Sequence, residues 1–191
     1  MFVTRQRTDA ETLRAAWEKV LSCRIRMKRY DDAMATLDTL ATRFPDTENL
    51  VGKRAYVLDR MGRTSEAMYL YLGAIGRADP QMRDFYVAGY ADIAIPYIRQ
   101  CLDEGATAHA FAEADQLLAL DPSNDLALRY AINAAAQMGR DDVFREYTDR
   151  GLERHPREPF YLAKKAASLD AEGRYEASIE LIRPVLWDYP G

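Results

Sequence analysis

The chain has 191 residues, of which 48% are apolar and 29% charged, with a formal charge of −4 and a pI near 5.3. That balance suits a soluble folded protein and lacks the basic footprint that general nucleic-acid binding or an anionic membrane surface requires. No apolar run approaches the roughly 18 to 20 residues of a membrane span, and Met1 to Arg7 show no apolar stretch of the secretory-signal kind. The compartment stays open between cytoplasm and periplasm.

Apolar periodicity predicts helices over about 9–28, 31–43, 47–61, 64–78, 82–103, 107–120, 124–138, 141–154, 158–172 and 175–188. Thr8, Asp9, Ala10 and Glu11 read as a capping box opening the first. Gly62, Gly105, Gly139 and Gly173 each fall just past a predicted helix end, where glycine takes the left-handed conformation without a Cβ penalty. Thr64, Thr107 and Asp141 then stand where the following helix needs an N-cap oxygen. Pro45, Pro80, Pro122 and Pro156 lie between helix pairs, at junctions a helix interior would not tolerate. Cys23 and Cys101 sit in apolar helical patterns and read as two buried free thiols.

A fixed step orders these signals. Gly105, Gly139 and Gly173 recur at a constant interval of about 34 residues, as do Pro122, Pro156 and Pro190, and Ala33 and Ala67 show the same interval earlier. Such a step marks stacked helix pairs, none of which can bury its apolar face alone.

The residues resemble the tetratricopeptide repeat. The first unit offers Trp17, Val20 and Leu21, then Tyr30 and Ala33 with Leu37 one helical turn on, then Phe44-Pro45. Gly62, Ala67, Tyr71 and Asp79-Pro80 follow, then Ala110, Ala114 and Leu120 with Pro122, and finally Gly173, Ser178, Ile182 and Tyr189-Pro190. The resemblance implies an all-α, right-handed α-solenoid of about five stacked helix-turn-helix repeats. They run over about 14–45, 48–80, 81–122, 125–156 and 159–190, in a single domain spanning 1–191. Small residues at Ala33, Ala67, Ala110 and Ser178 would let paired helices approach, while Trp17, Leu37 and Tyr71 fill the space between pairs. Phe144 departs from that pattern beside an Ala-rich first helix, suggesting a volume swap. The first helix of the third repeat is too long by about 9 residues, since the interval from Ala67 to Ala110 exceeds the repeat step by that amount. This surplus holds Phe85, Tyr86, Tyr90 and Tyr97 with Pro96, either core of a helix kinked at Pro96 or an aromatic surface for a partner.

No nucleotide-loop, nucleophile-elbow or HExxH pattern occurs, the two histidines follow no ligand spacing, and the carboxylate pairs sit at helix starts. The expectation is therefore a binding protein without catalytic residues, cofactor or metal. In tetratricopeptide proteins the first helix of each pair lines a concave groove. By that resemblance the candidates are Lys53, Tyr56, Arg60, Arg99, Arg129, Tyr130, Asn133, Lys164 and Asp170. Arg129 and Asn133, with Lys164 behind, resemble the carboxylate clamp of chaperone-binding members, although Ile95 and Pro96 stand where that clamp needs polar groups. Arg129→Glu is expected to weaken partner binding and spare the fold.

The expected function is a scaffold or adaptor for a protein or peptide, without nucleic acid or membrane insertion. The alternatives are an accessory, periplasmic-type repeat domain of a larger assembly such as a polysaccharide-export outer-membrane protein, or an enzyme using the repeats to hold its substrate. Leu181, Val185 and Trp187 would be partly bare at the last repeat, which is expected either of a longer repeat array or of an end covered by a partner or, through self-association, a second copy.

Overall fold

The computed structural model describes residues 2–45, 47 and 49–186, with side chains described for 9–45, 47 and 49–184. Among these residues there are ten α-helices and no strand. Val185 and Trp187 of the expected bare end, and Tyr189-Pro190 of the last repeat, fall outside the described side chains. Residues 1–93 and 94–191 form two compact units.

The first unit holds α1 (Phe2–Arg26), α2 (Tyr30–Arg43), α3 (Leu50–Arg60), α4 (Thr64–Ile75) and the first part of α5 (Pro80–Asp103). Consecutive helices from α1 to α4 pack on one another. Leu21, Ala33, Leu37, Leu40 and Val57 make their core, with Trp17, Tyr30, Met34 and Phe44 partly buried against it. Ala33 and Ala67 have zero exposure, as expected where a small side chain lets paired helices approach closely. The second unit holds the rest of α5, then α6 (Thr107–Leu120), α7 (Asp125–Gln137), α8 (Asp141–Arg154), α9 (Pro159–Ala171) and α10 (Tyr175–Leu186). Helices α6 to α10 likewise pack in sequence. Their core runs through Ala110, Ala114, Leu117, Leu128, Ile132, Tyr161 and Leu162.

Each pair closes on one turn type. Gly62, Gly105, Gly139 and Gly173 have φ of 76°, 77°, 65° and 73°. Around Gly62, the Arg63 amide donates to Leu58 O and the Gly62 amide to Asp59 O, both at 2.9 Å, which satisfies the carbonyls a helix end leaves unpaired. The same two bonds recur around Gly105, Gly139 and Gly173. They also recur at Arg29 and Lys28, one repeat step before Gly62, where Lys28 takes φ 57° without being glycine. The turn repeats in all five pairs, and glycine spacing alone hides the first.

Several expectations change. Helix α1 runs unbroken from Phe2 through Thr8 to Glu11, so the capping box there opens nothing. Arg63, Ala106 and Arg140 are the N-cap residues of α4, α6 and α8, and none caps through its side chain. The expected capping hydroxyls are used elsewhere: Thr64 Oγ1 donates to Asp59 Oδ1 at 3.0 Å and Thr107 Oγ1 to Gln137 Oε1 at 2.9 Å. Side-chain capping belongs instead to helices opening a pair. Asn49, Asp79 and Asn124 accept from the amides of Gly52, Met82 and Ala127. Cys101 is buried but Cys23 is exposed, and both are free thiols.

Helix α5 is the lengthened element, 24 residues against 11 in α3 and 13 in α7, and it continues through Pro96. In the fourth pair Ala127, Ala131, Ala134 and Ala135 are buried, Ala136 is exposed and Phe144 is only half-buried. The ring that enters space left by a small residue there is Tyr161, seated so closely that a Cβ on Gly151 would fall 2.3 Å from it.

Candidate functional site

Helix α3 buries Ala55, Val57 and Leu58, which turns Lys53, Tyr56 and Arg60 outward at spacings of 3 and 4. Between α1, α3 and the first part of α5, that face closes a groove of about 480 Å³ with Ile25 and Ile93 among its walls. Lys53 Nζ donates to Glu18 Oε1 at 2.6 Å, so α1 neutralises it. The Arg60 guanidinium lies 5.2 Å from the Tyr56 ring centroid, and both side chains are exposed.

Tyr71 of α4 reaches the same groove. Its ring is buried, 6.4 Å from that of Tyr86, and its hydroxyl lies 2.6 Å from where a Cβ of Gly89 would stand. Glycine in a helix interior costs about 1 kcal/mol relative to alanine, and here it makes the notch that admits the phenol. Burial, reinforced by the Asp92 carboxylate and then by Tyr86, raises the Tyr71 pKa and keeps the phenol protonated.

In the second unit, α5 and α7 frame another groove of about 530 Å³, containing Ile95, Pro96, Arg99, Leu126 and Tyr130. Leu126 is half exposed on its edge. Arg99 Nε lies 4.0 Å from Asp103 Oδ2, and Gln100 donates to Glu104 at 2.7 Å.

Arg129 is differently engaged. Its Nε donates to Asp125 Oδ2 at 2.6 Å and its Nη2 lies 3.0 Å from Glu158 Oε1. The guanidinium rests 4.9 Å from the Phe160 centroid and 5.3 Å from that of Tyr161. Lys164 Nζ approaches Phe160 at 5.4 Å, so the two cations share one aromatic platform. Asp125 also accepts the Tyr161 hydroxyl and lies 3.6 Å from His155 Nε2. Burial opposes its ionisation, yet the bonds from Tyr161 and Arg129 outweigh that and hold its carboxyl below the usual range. A peptide carboxylate reaching Arg129 would compete with two carboxylates already in place. Asn133 is half-buried and Asp170 exposed.

The aromatic stripe of α5 divides. Tyr90 is fully buried, Tyr86 and Tyr97 are half-buried, and Phe85 stands nearly half exposed, edge-on to Tyr86 at 5.7 Å. The Tyr97 hydroxyl and His109 Nε2 are 3.1 Å apart.

Sequence reasoning brings together Lys53, Tyr56 and Arg60, and separately Arg99 and Tyr130, but misses Tyr71, Gly89 and Asp92. The available signal was Gly89 itself, an unexplained glycine inside an apolar helical pattern.

Turn and packing together define an all-helical repeat fold of the tetratricopeptide kind. No protein-family model matches the chain, and no curated protein matches it in sequence. Among solved structures it is similar to the MamA RS-1 ArsTM double mutant, with a TM-score of 0.50 and 12% identity over 91% of this chain and 92% of that one. It is also similar to MamA 41-end from Desulfovibrio magneticus RS-1, with a TM-score of 0.49 and 12% identity over 91% and 93%. A chain of the Naa15/Naa10 complex bound to HypK-THB gives 0.49 and 15% identity, over 93% of this chain and 25% of that one. At 12% identity the first likeness shows the fold alone.

Proposed function

We propose that this chain is a protein-binding scaffold that receives a partner segment in the groove of α1, α3 and α5. The observation that carries this reading is the exposed Tyr56–Arg60 pair on the groove face of α3. Tyrosine and arginine are enriched among the few residues that carry most of the binding energy at protein interfaces. A groove of about 480 Å³ with two isoleucines in its walls supplies apolar contact beside them. The Arg99–Tyr130 groove offers the second unit an analogous seat. The proposed role is binding, not catalysis.

Affinity capture from the source lysate tests it, comparing wild type with Tyr56→Ala/Arg60→Ala after equal melting temperatures are established. A protein retained by wild type and lost from the variant supports the groove. Retention by both overturns it, and capture of no protein overturns the scaffold role.

A further inference from the structure

We infer that this groove selects its partner through a basic side chain, lysine or arginine, received between Asp92 and the Tyr71 hydroxyl. The inference deepens the scaffold reading and rests on it.

Tyr71 is only 7% exposed, yet its hydroxyl makes no hydrogen bond with the described residues and borders the groove. Its oxygen is therefore open to a donor that enters the groove. The notch at Gly89 keeps the phenol there, since any larger residue would displace it. Asp92 lies one helical turn from Gly89 on α5, lines the same groove, and has no ion pair among the described residues. A phenol oxygen beside an unpaired carboxylate offers acceptors on both sides, which suits an ammonium or guanidinium. Ile25 and Ile93 would cover the aliphatic stem of such a side chain.

The surrounding charge has the matching sign. Lys53 is neutralised by Glu18 and Arg60 lies against the Tyr56 ring, while Asp59 and Asp92 line the same groove. An acidic anchor would be repelled by Asp92, and an apolar one would make no hydrogen bond to the Tyr71 hydroxyl.

The test is fluorescence anisotropy with the full chain and fluorescein-labelled heptapeptide pools carrying Lys, Glu or Leu at a fixed centre. The Lys pool should bind at least about tenfold more tightly than the others. Asp92→Asn should remove roughly that factor, and Tyr71→Phe should lower affinity several-fold, with both melting temperatures unchanged. A tighter Glu or Leu pool, or unchanged affinity in both variants, overturns the basic anchor. If such a pool still loses binding in Tyr56→Ala/Arg60→Ala, the groove stands and only its selectivity falls. Binding of no pool overturns both.

Discussion

Lys28 holds, at φ 57°, the turn position that Gly62, Gly105, Gly139 and Gly173 fill in the later pairs. A side chain there carries backbone strain of about 1 kcal/mol or more, partly offset by glycine's greater freedom when unfolded. Lys28→Gly should therefore raise stability by about 0.5–1 kcal/mol, read as a rise of a few degrees in Tm. Gly139→Val should do the opposite. No neighbour lies within 4 Å of a Cβ at Gly139, so its cost is the backbone conformation itself. Thr148 is fully buried and its hydroxyl has no partner among the described residues. Thr148→Val removes that uncompensated group at nearly constant shape and should stabilise by about 1 kcal/mol, and a lower Tm would contradict the assignment. The glycine positions were legible in the sequence because glycine meets a positive φ without a Cβ penalty. Lys28 and Thr148 were not, because a lysine that takes that φ and a threonine that is buried look like any other lysine and threonine in a sequence.

At the scale of helices, α7, the end of α8 and the start of α9 are joined through Asp125, Arg129, His155, Glu158 and Tyr161. A sequence shows where Arg129 faces but not which carboxylates the next hairpin brings to it. Arg129→Glu now carries a different expectation: it sets a third carboxylate beside Asp125 and Glu158, and should destabilise on the order of 2 kcal/mol. Chemical denaturation of the variant measures this, and an unchanged midpoint would mean the network contributes nothing. The Asp125 carboxyl titrates below its unfolded value, so its contribution is present above the unfolded pKa and is lost as pH falls through the depressed folded one. Acid unfolding of Asp125→Asn should accordingly be shallower than wild type below about pH 4. Tyr147 works at the other end: burial first, then its hydrogen bond to Asp115, pushes its phenol to about 12. That group's contribution is complete below the unfolded value near 10 and is lost as pH rises through about 12. Tyr147→Phe should flatten the stability loss across that window, and equal alkaline slopes would exclude the contribution.

Across the whole molecule, helix number and pairing were legible because one turn recurs at a fixed step and each pair must bury its face on a neighbour. The groove was legible only where polar and aromatic residues share the outward face of one helix, as Lys53, Tyr56 and Arg60 do on α3. Tyr71 reads from sequence as packing alone, since its role depends on Gly89, which lies on the next helix. Helix periodicity ranks faces within one element and is silent on which residue of another element reaches through. Hydrogen–deuterium exchange of the full chain, with and without its captured partner or the Lys-centred peptide pool, tests the binding groove most directly. Protection concentrated in residues 49–60 and 89–93 is the predicted result. Protection confined to α2 and α4, with those segments unchanged, would contradict it.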